Sequence, residues 1–194
     1  MRNKEYDIDE VADKAMNLFW YKGFAATSIQ DLVEATGLSR SSLYSSFDGK
    51  EDLYQQALNR YQLLTKSNID LLSTEGSTKA IIRKLLMSIL ESELNDSNHR
   101  GCFMANASLE LASHDERIAN SVIYNFERLK KALEDLIDRG QRSGEVSNDK
   151  NSSALAIFFV NTIQGMRVLS KGSCEGNRRK NLLDVIETSL NLLN

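Results

Sequence analysis

The absence of proline is the feature of this sequence that most constrains its fold. Proline breaks helix interiors and marks turns and edge strands, and none of the 194 residues is proline. No segment alternates apolar and polar residues for long, as a half-buried strand would. Hydrophobic residues make up 41% of the chain and charged residues 26%, which is typical of a soluble globular protein. The sequence therefore predicts an all-α fold.

Capping residues divide the first fifty residues into three short helices. Asp, Ser and Thr favour helix starts because their side chains accept hydrogen bonds from free backbone N–H groups, and glycine favours helix ends. Two short helices joined by a tight turn that contains glycine are typical of a helix-turn-helix. The first helix is predicted at about residues 8–22. The predicted caps are Asp7, Gly23, Thr27 or Ser28, Gly37 and Ser39.

Longer periodic segments follow and predict a larger helical body. Connectors rich in Gly, Ser, Asn and Asp separate these segments. We therefore predict two domains, a three-helix head over residues 1–50 and a six-helix body over residues 51–194. The predicted body helices span about residues 50–66, 78–95, 102–112, 115–142, 150–171 and 177–193.

The charge of the chain argues against a protein that coats DNA indiscriminately. The formal net charge is -3, and the sequence pI is about 5.5. Even the first sixty residues hold seven Lys and Arg against ten Asp and Glu. Any basic surface must therefore be local.

The third predicted helix carries polar side chains on one face. Leu43 and Phe47 are four residues apart and can pack inward, so Arg40, Tyr44 and the neighbouring serines then lie on the opposite face. Short hydroxyl side chains allow close approach to a DNA duplex, and an arginine can reach O6 and N7 of guanine. A solvated helix face is the alternative. The predicted DNA-contacting residues are Thr27, Ser39, Arg40, Ser41, Ser42, Tyr44, Ser45 and Lys50.

Residues 27–53, TSIQDLVEATGLSRSSLYSSFDGKEDL, resemble the DNA-binding head of the TetR/AcrR family of bacterial transcriptional regulators. The matching positions are Thr27, Ile29, Asp31, Gly37, Ser39, Leu43, Tyr44, Phe47, Lys50, Glu51 and Leu53. The resemblance implies that Tyr44 and Lys50 contact phosphates of double-stranded operator DNA and that residues 40–45 meet the bases. Ser45 and Ser46 depart from the family pattern, which often has bulky aromatic residues or histidine there.

The resemblance also implies a homodimer. Two recognition helices about 34 Å apart, one turn of DNA, would read a palindromic site. Residues 150–171 are apolar nearly all round, and the last helix carries a broad stripe of Leu and Ile side chains. Both segments resemble the dimerisation helices of the family. Ordinary packing within one chain is the alternative.

A small-molecule effector is a further expectation from the resemblance. The helix predicted at residues 102–112 carries polar groups at regular steps and corresponds to a hinge that effector binding would shift, spreading the two heads. The predicted effector-binding residues are Cys102, Phe103, Asn106, Glu110, Phe158 and Thr162. Plain core packing is the alternative for each of them.

Cys102 suggests a more specific kind of effector. It lies near a predicted helix N-terminus and follows His99 and Arg100, a setting that can lower a thiol pKa and favour reaction with electrophiles or oxidants. The sequence therefore leaves open an electrophilic effector or a thiol-based redox sensor. The alternative is an unreactive cysteine in the core.

Other classes of protein are disfavoured by the sequence. Ser113, His114 and Asp115 are the residue types of a hydrolase triad, but adjacent side chains cannot align as one. With two histidines and no third ligand evident, we predict no metal site and no cofactor. We find no leader region or long apolar run, so we expect a cytoplasmic protein that avoids membranes and keeps Cys102 and Cys174 as thiols. The sequence predicts a repressor, or alternatively an activator or global regulator on the same fold, rather than an enzyme.

Overall fold

The computed structural model describes residues 6–172 and 176–194, and these residues form helices with no strand among them. The predicted all-α fold is confirmed. A 3₁₀ turn at Asn191–Leu193 follows the last helix. The helices are α1 (Ile8–Lys22), α2 (Ile29–Thr36), α3 (Arg40–Ser46), α4 (Gly49–Leu64), α5 (Lys66–Leu72), α6 (Thr78–Asn95), α7 (Phe103–Glu110), α8 (Glu116–Ser143), α9 (Ser152–Gly172) and α10 (Arg178–Leu190).

Packing divides the described chain into two compact units. The head unit comprises the residues up to Thr65 together with Phe103–Val122, and the body unit comprises Lys66–Cys102 together with Ile123–Asn194. Helix α7 and the start of α8 therefore pack with the head, although a long segment of the body precedes them in sequence. The functional boundary predicted at residue 50 stays a prediction.

The first helix begins and ends where the sequence predicts. Asp7 is the N-cap of α1, and its side chain accepts a hydrogen bond from the N–H of Asp9. Gly23 ends the helix with a φ of 85°, a conformation that residues with a side chain rarely adopt. The chain then turns sharply into α2.

The second and third helices are also capped as predicted. Ser28, rather than Thr27, caps α2 and forms a reciprocal capping box with Asp31. Gly37 ends α2 in the left-handed conformation, and Ser39 caps α3. The helix-turn-helix pair is therefore specified by local hydrogen bonds at each end.

Aromatic rings form the centre of the head unit. The ring of Tyr54 lies 4.9 Å from that of Phe19 and 5.2 Å from that of Phe103, both in edge-to-face geometry. Tyr61 packs edge-on against Phe103 and Trp20. Helices α1, α4 and α7 each contribute rings, so the cluster joins α7 to the two longer helices. This aromatic cluster comprises Phe19, Trp20, Phe24, Tyr54, Tyr61 and Phe103.

Aliphatic side chains fill most of the core of the body unit. Helix α6 packs against α9 and α10, and α8 adds a row of leucine and isoleucine side chains to the same core. Burial of these side chains removes apolar surface from water and is the main stabilising term. The core includes Leu85, Leu86, Leu133, Ile137, Phe159, Ile163, Ile186 and Leu190.

One helix was not predicted. The helix expected over residues 50–66 ends at Leu64, where the N–H and the hydroxyl of Thr65 both donate to the carbonyl of Tyr61. Helix α5 begins at the next residue. No glycine or proline marks this break, so the sequence pattern continues through it.

Candidate nucleic-acid interface

Helix α3 presents a polar face, as the sequence predicts. Leu43 is fully buried and Phe47 is 4% exposed, so these two side chains fix the helix to the head unit. Arg40, Ser41 and Tyr44 are exposed, and Tyr44 keeps 49% of its surface accessible. The predicted orientation of α3 is therefore confirmed.

Several of the α3 serines bond within the helix itself. The hydroxyl oxygen of Ser39 accepts the N–H of Ser42 at 3.1 Å and lies 2.9 Å from the hydroxyl oxygens of Ser41 and Ser42. The hydroxyl of Ser45 donates to the carbonyl of Ser42 at 2.9 Å. Serine side chains can disrupt a helix by bonding to its backbone groups. In α3 the hydroxyls of Ser39, Ser41, Ser42 and Ser45 each have a hydrogen-bond partner within the segment, and the helix remains intact.

Thr27 lies away from the exposed face. Its side chain is 1% exposed, and its hydroxyl donates to the carbonyl of Gly23 at 2.6 Å. The hydroxyl of Thr27 is therefore not exposed for the phosphate contact that the sequence predicts. The side chain instead closes the turn between α1 and α2.

Lys50 lies in the first turn of α4, as predicted, with its side chain partly exposed. Its Nζ is 4.1 Å from the centroid of the Phe24 ring, a cation–π arrangement that holds the ammonium group in place. The ammonium group can still donate a hydrogen bond to an anion.

An ion pair joins the end of α1 to the start of α2. Lys22 donates to Asp31 at 2.5 Å, and this contact, with further bonds from the backbone and hydroxyl of Ser28, holds the pKa of the Asp31 carboxyl well below its ordinary value. Asp31 is therefore ionised at every physiological pH. Its negative charge also suits the positive end of α2.

Glu110, a predicted effector residue, contacts the turn between α1 and α2. Its Oε2 accepts the N–H of Phe24 at 2.9 Å, and its Oε1 accepts the N–H of Ala25 at 2.6 Å. Burial raises the pKa of the Tyr54 hydroxyl, and the negative charge of Glu110 raises it further. The carboxylate thus lies beside both the turn and the aromatic cluster.

The other predicted effector residues at the start of α7 are buried. Cys102 is 3% exposed and Phe103 is fully buried in the aromatic cluster, whereas Asn106 is partly buried. A cysteine with so little exposure is poorly placed for direct reaction with a dissolved electrophile. Cys174 lies outside the described residues. Within the described ranges, no three His, Cys, Asp or Glu residues are placed to hold a metal ion.

Phe158 and Thr162 lie in the body unit and line a groove between α9 and α10. The groove has a volume of about 370 Å³, and the hydroxyl of Thr162 donates to the carbonyl of Phe158 at 3.0 Å. Apolar side chains along α9 are exposed, including Val168 and Leu169, which are 63% and 58% accessible. Helix α9 therefore carries an apolar outer face in addition to its buried one.

A second groove of the body unit runs between α5 and α8. It has a volume of about 410 Å³, and its lining combines apolar side chains with basic and acidic groups. Its lining includes Ile69, Leu72, Tyr124, Arg128 and Arg139. None of these residues belongs to the predicted effector set.

Two family models cover most of the chain. A model described as bacterial regulatory proteins of the tetR family matches residues 11–57. A model described as a tetracyclin repressor-like C-terminal domain matches residues 79–178, more than half of the chain. The chain belongs to the TetR family. This TetR-family protein is a DNA-binding transcriptional regulator, and its first match spans α1 to α3 and the start of α4.

This TetR-family regulator aligns with named HTH-type transcriptional regulators over nearly the whole length of both chains. It is 32% identical to the HTH-type transcriptional repressor ComR of Escherichia coli over 98% of this chain and 90% of ComR. It is 29% identical to YezE, an uncharacterized HTH-type transcriptional regulator of Bacillus subtilis, over 99% and 98% of the two chains. The similarity therefore includes the body as well as the head.

Solved structures of TetR-family regulators have the same fold. A cysteine mutant of the regulator CifR, complexed with a 26bp double-strand operator DNA, has a TM-score of 0.84 and 25% identity over 100% of both chains. The reduced form of NemR from Escherichia coli has a TM-score of 0.84 at 16% identity over 96% of both chains, which shows a shared fold alone.

Membership of the TetR family agrees with a regulatory rather than a catalytic protein, since regulators of this family are normally not enzymes. A DNA-binding regulator of this type implies a cytoplasmic location. Among the described residues, one helix, at Ser152–Lys171, is long and apolar enough to cross a membrane by length and composition alone. Core helices of soluble proteins pass the same test, and one face of this helix packs in the body core.

Proposed function

We propose that this regulator is a repressor that binds a palindromic operator as a homodimer and is released by a small-molecule effector. The observation that carries the proposal is the outward face of α3, where Arg40, Ser41 and Tyr44 stand exposed on a helix fixed by buried Leu43 and Phe47. The name of the relative ComR as a repressor supports repression over activation.

The proposed contacts divide into base reading and phosphate anchoring. Arg40, at the first turn of α3, is placed to donate to O6 and N7 of guanine, and Ser41 can approach a base edge closely. Tyr44 and Lys50 donate to phosphate oxygens on either side, which positions the helix but carries no sequence information. Thr27 supports the turn instead of contacting the DNA, since its hydroxyl is buried.

The proposed dimer uses α9 and α10. Contiguous apolar surface of this kind on a soluble protein usually marks an interaction site. Ile157, Phe158, Val168 and Leu169 of α9 are exposed, and the groove beside α10 would accept side chains from a second copy. The proposal therefore assigns Phe158 and Thr162 to the dimer face rather than to an effector pocket.

The effector part of the proposal is supported by the groove between α5 and α8. Its volume of about 410 Å³ lies within the range of small-molecule sites. A thermal-shift screen of reactive carbonyls, quinones and hydrophobic amphiphiles tests this part, because a ligand that binds only the folded state raises the melting temperature. A reactive carbonyl that stabilises Cys102→Ser as well as it stabilises the unaltered protein would exclude thiol sensing.

The substitution Tyr44→Ala tests DNA binding. A duplex is first selected from a random double-stranded library by the unaltered protein, and affinity is then measured by fluorescence anisotropy. We expect Tyr44→Ala to lower the affinity by about tenfold or more, as for loss of one hydrogen bond to a charged group, while sedimentation still reports a dimer.

Ile123→Ala is the control, because Ile123 is also a large exposed side chain, with 59% of its surface accessible, but lies on α8 outside the proposed interface and is not in the lining of the proposed effector groove. It should leave DNA affinity unchanged. Equal losses in the two variants, or no duplex enriched from the library, would refute the proposal. Deletion of the protein should raise transcription of the genes that it controls, and a fall would indicate an activator.

A further inference from the structure

Glu110 makes an unusual contact for a residue at the end of a short helix. Its two carboxylate oxygens accept the N–H groups of two consecutive residues, Phe24 and Ala25, at 2.9 and 2.6 Å. Consecutive backbone N–H groups in a turn form an anion-binding concavity. In this protein the anion is supplied by the chain itself.

The turn is shaped to admit this carboxylate. Gly23 has a φ of 85°, and a Cβ atom placed on it would lie 3.4 Å from both oxygens of Glu110. These are ordinary van der Waals distances, so a small side chain would touch the carboxylate without a clash. The positive φ is what favours glycine at residue 23, because a residue with a side chain would be strained there.

The ring of Phe24 fixes the other side of the same turn. It packs edge-on against Tyr54 at 5.1 Å, and the ammonium group of Lys50 lies over its face. Three residues later the hydroxyl of Thr27 closes the turn, and Ser28 caps α2. The segment held by Glu110 thus leads directly into the helix-turn-helix.

Helix α7 is anchored at both of its ends. Phe103, its first residue, is fully buried in the aromatic cluster, and Glu110, its last residue, holds the turn. Between them Met104 and Ala107 are fully buried, whereas Leu109 is 87% exposed, so the helix packs along one face. The packed face of α7 thus fixes the position from which the Glu110 carboxylate reaches the turn.

We propose that Glu110 is a positioning residue for DNA binding. Its carboxylate holds the turn between α1 and α2 and thereby sets the placement of α2 and α3. This inference rests on the proposed function, because it assigns to Glu110 the maintenance of the DNA-competent head. Glu110 acts through the turn and touches no DNA.

Amide hydrogen exchange followed by NMR tests the contact without DNA. In Glu110→Gln only one oxygen remains to accept a hydrogen bond, and the new NH₂ group faces the second N–H. We expect the amides of Phe24 and Ala25 to exchange about tenfold faster or more, while amides elsewhere in the head are unchanged. Glu116→Gln, an exposed carboxylate of the head unit, is the matched control and should change neither amide.

Chemical rescue separates positioning from general stability. Formate can occupy the space that Glu110→Ala vacates and accept the same two N–H groups. Sodium formate should slow the exchange of both amides and restore affinity for the duplex selected by the unaltered protein, whereas sodium chloride at equal ionic strength should not. If Glu110→Ala does not fold, the exchange and duplex affinity of Glu110→Gln decide the matter.

The outcomes distinguish the two proposals. Unchanged exchange at Phe24 and Ala25 in Glu110→Gln would overturn the contact while leaving DNA binding intact. Faster exchange with unaltered duplex affinity would overturn the positioning role. Failure of the unaltered protein to select any duplex would overturn the proposed function, and with it the role of Glu110 in DNA binding.

Discussion

The cores of the head and body units are built from different kinds of side chain. The head is centred on aromatic rings with ring centroids 4.9 to 6.4 Å apart, mostly in edge-to-face contact. The body is centred mainly on leucine, isoleucine and valine from long helices. Aromatic pairs depend on ring orientation, whereas aliphatic side chains pack well in many arrangements. The head is therefore built to hold one geometry.

The exposed faces of the two units differ in polarity. The head presents charged and hydroxyl groups on the short helix α3, while the body presents apolar side chains along α9. A rigid polar helix is suited to reading a fixed partner such as DNA. An apolar face is suited to covering by another apolar face. The two units are therefore suited to partners with different surfaces, one polar and one apolar.

The largest effect should follow from removing one ring of the aromatic cluster. Phe103→Ala should lower the free energy of unfolding by about 3–5 kcal/mol, because it leaves a cavity and removes contacts with Tyr54 and Tyr61. Urea denaturation measures the loss, with the fluorescence of Trp20, the single tryptophan and a neighbour of Phe103, as the probe.

Leu109→Ala is the control for this experiment, because Leu109 lies on the same helix but is 87% exposed. It should change stability by no more than about 0.5 kcal/mol. Equal effects of the two substitutions would show that the rings do not fix α7 in the head, and the contrast between the two cores would fail.

A pair of helical glycines tests how closely the body is packed. A Cβ on Gly140 of α8 would lie 2.5 Å from Oγ1 of Thr78 and 2.7 Å from Cγ2 of Val146, so Gly140→Ala should cost about 1–3 kcal/mol. A Cβ on Gly165 of α9 meets nothing within 4 Å, and Gly165→Ala should stabilise the monomer by about 0.5–1 kcal/mol. Thermal unfolding measures both, and a neutral Gly140→Ala would mean that the body adapts more readily than its core implies.

A further small effect concerns Glu145, the body counterpart of Glu110. It accepts hydrogen bonds from the hydroxyl of Ser77 and from the N–H groups of Thr78 and Lys79 at the start of α6. Burial would raise the pKa of the Glu145 carboxyl, but these bonds outweigh it and hold the pKa below its ordinary value. Glu145→Gln should therefore cost about 1 kcal/mol at neutral pH.

The pH dependence follows from the direction of this shift. A lowered pKa in the folded state stabilises the body above the ordinary carboxyl value, and the stabilisation is lost as the pH falls through the lowered value. The stability difference between Glu145→Gln and the unaltered protein should shrink on acidification. A difference that stays constant from neutral to acidic pH would contradict the role of the charged carboxylate.

Local signals sufficed for much of the head. Ser28, Gly37 and Ser39 act on backbone groups within a few residues, so their roles can be read from spacing. The outward face of α3 followed from the separation of Leu43 and Phe47. The sequence did not indicate α5, because its break from α4 depends on hydrogen bonds of Thr65 and no breaking residue marks it.

Contacts between distant parts of the chain were beyond sequence reasoning. Glu110 meets Phe24 across 86 residues, and its predicted role as an effector ligand gave no sign of this partner. Arg178 is only 6% exposed and donates to the backbone carbonyl of Glu93, 85 residues earlier. Such pairs depend on the packing of whole helices, which periodicity within one helix does not specify.

The hydroxyl of Ser39 has its hydrogen-bonding capacity filled before any partner arrives. A hydroxyl donates one hydrogen bond and accepts two, and this one already engages the N–H of Ser42 and two neighbouring hydroxyls. Water or phosphate can join only by displacing one of these partners. The N-cap hydroxyl of α3 is thus occupied within the protein, whereas the guanidinium of Arg40 and the phenol of Tyr44 are exposed to an outside partner.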